Sequence, residues 1–503
     1  MKLLKLFSLV VILSLVACDN KSDVISPEGD NNDNDTIVGG NDTIIGGNDT
    51  IIGGNDTLPE AQYGLEYLYD MASLAHITIS VTERDWNNFL GYYDQNPHNE
   101  EYIPASFRYE KLGETFGLDS IGIRLRGNTS RRRPEGGNGE MHRKDGDWHH
   151  AHFGVKFDEY VDDQTFCTAD RIYLKWHKDD ANYCREVYSY DLFRRFGVWS
   201  APRVCYTRLS IYVEGDSKPV YMGVYALIEG MKDSYINSRV EAGKFTTDEG
   251  FLWKASFGAN LSPSTMTDNN MGVEVAALNP SESESYIYDL KTKKKKLTEA
   301  REQLKSFVND MNVLKSGSSE LKAYLEERVD IDLFLRAYAV NVAVGMWDDY
   351  WCNTNNYYFY FDNNKFIFIP YDYDNTLGTS NEMENSGTHD PLNWGSLGGD
   401  RVLMCKVMSI PEYKAQYVAY LKELASNPEY FEYEGSLTRI RGWHSMIGDY
   451  VSNDTGEDMA IEDRPAYWGN CHFYRLFSGN DQGGRNGDAN FFKTKIRVIN
   501  QLK

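Results

Sequence analysis

Positive charge is scarce in this 503-residue chain: 52 Lys and Arg stand against 75 Asp and Glu, a formal net charge of −23. Nucleic acid is repelled by that balance, so general nucleic-acid binding is excluded and any phosphate site has to be a local basic patch. The common hydrolase patterns Gly-x-Ser-x-Gly and His-Glu-x-x-His are missing. No Cys-x-x-Cys pair occurs among the seven cysteines, which argues against a zinc ribbon. Beyond the amino-terminal segment there is no second apolar run long enough to cross a bilayer.

Aromatic residues are plentiful, at 14% of the chain with 35 tyrosines and 10 tryptophans, enough for a substantial core. The amino terminus has the grammar of an export signal: Lys2 and Lys5, then an apolar run from Leu6 to Ala17. Leu15-Val16-Ala17-Cys18 reads as a lipobox, which places cleavage after residue 17 and a lipid on Cys18. Each buried acyl methylene contributes about 0.8 kcal/mol, so several chains anchor a protein firmly. The expected location is the cell envelope, on the periplasmic or outer side of a bacterial membrane. Residues 18–60 read as a tether, because Asn41-Asp42-Thr43-Ile44-Ile45-Gly46-Gly47 recurs with a period of seven from Asn34 to Asn55. Paired glycines and solvated Asn-Asp steps disfavour a packed core. The repeat lacks the glutamate and spacing of an EF-hand calcium loop. The other cysteines, Cys167, Cys184, Cys205, Cys352, Cys405 and Cys471, permit either disulfides or buried thiols.

A globular texture begins near residue 70 and runs to 503. Strand patterns fall at 76–81, 120–126, 154–158, 171–176, 205–213 and 220–228, with helices at 83–90 and 184–196. The second half is helical at 297–314, 319–327, 330–346, 401–425 and 435–452. One hairpin interrupts it, 357–362 with 365–370, turning at Asn363-Asn364. The expected class is α+β, a sheet-rich amino-terminal half followed by a helical carboxy-terminal half.

Acids and amides concentrate around that hairpin. Trp347-Asp348-Asp349-Tyr350-Trp351-Cys352-Asn353-Thr354-Asn355-Asn356 precedes it and Ile369-Pro370-Tyr371-Asp372-Tyr373-Asp374 closes it. Such hard oxygen ligands suit magnesium held against substrate phosphates. Asp348 stands five residues before Asn353, and Asp372 follows the hairpin. Protein kinases space their catalytic Asp, metal-binding Asn and second metal-binding Asp in this way. Asp348 would then take the proton of a hydroxyl nucleophile, while Asn353, Asp372 and Asp374 would hold metal. Asp349 and Asn356 stay open as alternatives to Asp348 and Asn353.

In the first half, Arg124, Arg126 and the turn Gly127-Asn128-Thr129-Ser130 combine cations with exposed amides suited to phosphate. Arg131, Arg132 and Arg133 extend this patch or form a solvated loop. Lys156 is the first candidate for a strand lysine that steadies phosphates, with Lys175 second, and Glu186 is its candidate partner. Glu229 is expected near a hinge and outside catalysis. His142, His149, His150 and His152 read as a mobile polar loop rather than a zinc set.

Four ordered stretches across residues 75–390 resemble the CotH (spore-coat-protein-H) kinase family. They are Ile123 to Ser130; Tyr173-Leu174-Lys175 with Asp180 and Arg185-Glu186; Tyr221 to Glu229; and Asn341 to Gly378. The resemblance implies an atypical two-lobed protein-kinase-like fold over 70–503, with a helical extension at 391–503. It further implies ATP as substrate, Mg2+ or Mn2+ as cofactor, an exported or surface protein as acceptor, and Asp348 and Asp372 as the key acids. The family lacks the usual kinase HRD and DFG motifs, and so does this chain. A surface structural or adhesion module and a nucleotidyl transferase are the competing expectations.

Overall fold

A computed structural model describes residues 63–379, 386–452, 461, 465, 477 and 490–503. All of them belong to the unit Gly53–Lys503. Cys18, the seven-residue repeats and Cys471 lie outside the described residues. No described helix is long and apolar enough to cross a membrane.

The first half builds a closed sheet. After the short α1 (Leu65–Leu68) come β1 (Ala75–Val81), α2 (Glu83–Gln95), β2 (Ile103–Lys111), β3 (Glu114–Arg126), β4 (His152–Lys156) and β5 (Arg171–Trp176). Then follow α3 (Arg185–Arg195), β6 (Val204–Val213) and β7 (Val220–Glu229). Seven strands close in the order β1-β2-β3-β4-β5-β7-β6, and the parallel β1–β6 pair completes the ring. Alternation explains the closure: β1 and β2 bury every second residue, so one face of each looks inward. Ile77, Phe107, Tyr109, Ile123, Phe153, Leu174 and Leu227 fill the interior.

Three strands, β5, β6 and β7, are buried on both faces. Leu174 and Leu227 point into the barrel, while Tyr173, Tyr206, Val224 and Ala226 join the core of the second half. That shared wall explains why β7 is almost continuously apolar instead of alternating.

The second half comprises α4 (Asp233–Glu241), β8 (Phe251–Ala255), β9 (Met271–Gly272), β10 (Tyr288–Leu290), α5 (Leu297–Val313), α6 (Ser319–Arg328) and α7 (Ile331–Ala343). It continues with β11 (Tyr357–Asp362), β12 (Lys365–Pro370), α8 (Val402–Met408), α9 (Pro411–Ser426), α10 (Tyr433–Ser452) and α11 (Phe491–Asn500). A five-stranded sheet, β12-β11-β8-β10-β9, lies among these helices. The hairpin turns where expected, with Asn363 and Asn364 both at positive φ, 46° and 67°.

Several expectations need correction. The helix expected at 330–346 ends at Ala343, because Gly345 adopts φ 73° and turns the chain. The helix expected at 401–425 is two helices, since Pro411 cannot continue α8 and instead opens α9. Strands β2, β8, β9 and β10 were not anticipated. Cys167, Cys205 and Cys405 are free thiols, the first two buried, which excludes a scheme pairing all six cysteines.

Candidate active site

Residues of β5, the face of the shared wall that carries Tyr173, also include Lys175. Its ammonium meets three carboxylates: Glu186 at 2.8 Å, Asp374 at 3.1 Å, and Asp372 in a still shorter contact. Burial disfavours the ammonium, but the three acids together outweigh it and hold Lys175 charged far above its ordinary range.

Each partner is positioned by its own element. Asp180 accepts from the backbone amides of Cys184 (2.7 Å) and Arg185 (2.8 Å), fixing the start of α3. The Arg185 guanidinium, itself paired to Asp180 at 2.7 Å, donates to the Thr376 carbonyl at 2.8 Å. One buried pair thus sets both α3, which carries Glu186, and the segment after β12, which carries Asp372 and Asp374. Asp372 takes the left-handed backbone region at φ 63° and donates its amide to the Tyr190 hydroxyl at 2.9 Å. A non-glycine residue held there is a conformational cost that clusters at functional sites.

The loop after α7 separates two adjacent acids. Asp349 is buried, accepts from the Cys352 amide and from Asn341, both at 2.8 Å, and is pushed up to about 7, chiefly by burial. Its neighbour Asp348 is half-buried and receives three side-chain amides: Asn353 at 2.6 Å, Asn355 at 3.1 Å and Asn356 at 2.8 Å. Burial raises the Asp348 carboxyl first, and the charge of Asp372 raises it further, so the two acids share one electrostatic environment. Asp349 shapes the loop; Asp348 is the acid that the Asp372 charge reaches.

The Asp372 carboxyl is raised by burial, yet Lys175 and Arg126 outweigh that and hold it below the usual carboxylate range. Its side chain retains 37% exposure, so water screens part of this effect. Asp374 goes the other way: burial first, then the charges of Asp372 and Glu186, push it up to about 8 against the pull of Lys175. Asp372, Asp374 and Glu186 crowd around the single ammonium of Lys175, and Arg126 and Lys254 also act on Asp372. Asp372, Asp374 and Asn353 could hold a divalent cation there, and the raised Asp374 marks the charge such a cation would offset. Among the described residues no group of three or more His, Cys, Asp or Glu side chains is arranged to hold a metal ion by itself. A site completed by substrate oxygens needs fewer protein ligands.

The expected phosphate patch is partly dispersed. Arg126 reaches the site: it stacks over Tyr173, 4.2 Å from the ring centroid, and donates to the Tyr371 hydroxyl at 2.6 Å. Arg124 does not need a phosphate as counter-charge, because Glu100 pairs with it at 2.8 Å and is itself lowered to about 2. Arg131 donates to the Gly127 and Pro97 carbonyls, and buried Arg133 pairs with Asp94 at 2.8 Å, so these two staple the loop instead of extending the patch. Asn128 and Ser130 occupy the surface turn after β3, where a Cβ on Gly127 would meet the Ser130 hydroxyl at 2.7 Å. Lys156 lies apart, paired with Glu159 at 2.8 Å; the lysine among the acids is Lys175. Both sit on short, largely apolar strands, so sequence could not separate them.

The histidine loop is packed, not solvated. His142 contacts Glu135 at 2.9 Å and Asp216 at 3.2 Å, His150 stacks on Trp176 at 4.1 Å, and His152 accepts from the Trp176 amide at 2.9 Å. Glu229 pairs with Arg203 and Arg239 away from the acid cluster.

The model of the CotH kinase protein family matches residues 123–478, which include every segment of this site. The chain belongs to the CotH family. Among curated relatives, "Invasin CotH7" of Rhizopus delemar is 29% identical over 111 residues. That stretch is 21% of this CotH-family chain and 18% of the invasin, so the match spans less than a fifth of the relative.

Proposed function

We propose that this CotH-family chain is a lipid-anchored phosphotransferase of the cell envelope that moves the terminal phosphate of ATP to a protein hydroxyl, on a two-lobed protein-kinase-like fold. One observation carries the reading: Lys175 on β5 bridges Glu186 on α3 and the pair Asp372 and Asp374 after β12, beside an Asp348 that Asn353 contacts. Lysine–glutamate pairing next to a metal-binding aspartate and an aspartate–asparagine loop is the working set of phosphoryl transfer in kinases.

Roles follow from charge and position. Lys175 and Arg126 offset the phosphate chain. Asp372, Asp374 and Asn353 would hold Mg2+ or Mn2+, which supplies charge neutralisation on the transferring phosphoryl group. Asp348, raised above the ordinary carboxylate value, accepts the proton as the acceptor oxygen bonds to the γ-phosphorus and the bond to the ADP oxygen breaks. The lipobox at Cys18 supports the anchor.

Labelled ATP and Mn2+ incubated with the full chain in detergent should transfer the terminal phosphate, and Asp372→Ala should abolish transfer. Label arriving from the α-phosphate would instead indicate nucleotidyl transfer. Equal behaviour of wild type and variant overturns the reading. The name of the Rhizopus relative, an invasin, favours a second reading, a surface-binding module on the same fold, which predicts no transfer at all.

A further inference from the structure

Two cations flank Asp372 without a carboxylate of their own. Among the described residues Arg126 has only the Tyr371 hydroxyl and the Tyr173 ring as close polar or aromatic partners. The second is Lys254, on β8 of the five-stranded sheet. It lies directly across from Tyr358 on β11 and Asp289 on β10. Paired residues share a face of a sheet, and the Tyr358 ring packs on Tyr371 at 4.7 Å, which turns that face toward Arg126 and the start of the Asp372 segment. The nearby acids each have a closer cation: Asp289 and Glu274 at Lys291, and Glu100 at Arg124. Lys254 is half-buried, and its charge acts on the Asp372 carboxyl together with those of Lys175 and Arg126.

No carboxylate pairs directly with this half-buried ammonium: burial and the charge of Lys291 disfavour its charged form, and Glu274, Glu100 and Asp289 offset this only in part. We propose that Lys254 binds the phosphoanhydride chain of a nucleoside triphosphate, closing on it from the second sheet while Arg126 closes from the barrel. This rests on the phosphotransferase reading and adds to it a residue that the family-like motifs do not contain. Arg126 and Lys254 come from different sheets, so a phosphate chain between them also links the two halves of the molecule.

The probes are ATP with Mn2+ and adenosine, titrated by calorimetry against the full chain in detergent. Lys254→Met, which keeps the apolar stem, should weaken ATP about tenfold, the loss of one charge-assisted hydrogen bond. It should also flatten the salt dependence of ATP affinity, and leave adenosine affinity and melting temperature unchanged. Lys254→Arg should restore most of the ATP affinity. If Lys254→Met binds ATP as wild type does, with the same salt dependence, the proposal is overturned while the phosphotransferase reading stands. A variant that loses adenosine binding and melts earlier assigns Lys254 a structural role and also overturns it. Wild type that binds no nucleotide overturns both.

Discussion

Two buried charge clusters sit three residues apart along the shared wall, Glu229 opposite Ile172 and Lys175 opposite Ala226, and are near inverses of each other. At the end of β7, one carboxylate, Glu229, lies between two guanidiniums, Arg203 at 2.9 Å and Arg239 at 2.7 Å. On β5 one ammonium, Lys175, lies among three carboxylates. Burial raises Glu229, but its two arginines outweigh that and hold it low, so its charge is fully used inside the protein. In the Lys175 cluster Asp374 is driven up to about 8, by burial first and then by the charges of Asp372 and Glu186, which Lys175 does not offset. Glu229 is satisfied and structural; the Lys175 cluster holds more carboxylate than its one lysine pairs, and the proposed function assigns the balance to a divalent cation and a phosphate chain. Both appear in the sequence as charged residues at strand positions, and only their company distinguishes them.

The contrast is sharpest in activity. Asp372→Ala should reduce transfer on the order of a thousandfold with no loss of thermal stability, and a radiolabel assay beside a melting curve would read both. Glu229→Ala should do the opposite: removing the acid strands two buried guanidiniums and costs about 3–5 kcal/mol in denaturant unfolding, while any molecules still folded keep nucleotide binding.

A pH series tests the same asymmetry more gently. The Asp374 carboxyl rises from 3.8 to about 8 on folding, so the folded state holds an extra proton between those values. That contribution is complete below pH 4 and is lost as pH climbs toward 8. Melting temperature of the metal-free protein should therefore fall over this range, and Asp374→Asn should flatten the decline. Mn2+ should raise melting temperature more at pH 8 than at pH 5, and a chelator should reverse the gain. The smallest effect belongs to Lys156→Ala. Its partly exposed pair with Glu159 is worth less than about 1 kcal/mol, and transfer should continue unchanged; a large loss would return Lys156 to the site.

Much of the fold was legible because periodicity records burial. Strands β5, β11 and β12 fall on the expected residues, and Asn363-Asn364 forms the turn that its side chains favour. Strands of two to five residues, β8, β9 and β10, carry too few positions for a period to show. The acids were legible as a group, since the end of α7 and the hairpin bracket them. Spacing favours Asp348, which has Asn five residues on where Asp349 has Thr354, and in the structure it is Asp349 that turns inward to Asn341.

The sequence alone determined the shortage of positive charge, the longer elements that carry a clear period and the family's ordered motifs. All of these are local in the chain, and composition or period suffices to carry them. Which lysine meets the acids, which arginine already has a carboxylate, and which cation has none were decided by tertiary structure. Lys175 and Asp372 are 197 residues apart, and only a wall buried on both faces, closed by the parallel β1–β6 pair, brings them into contact.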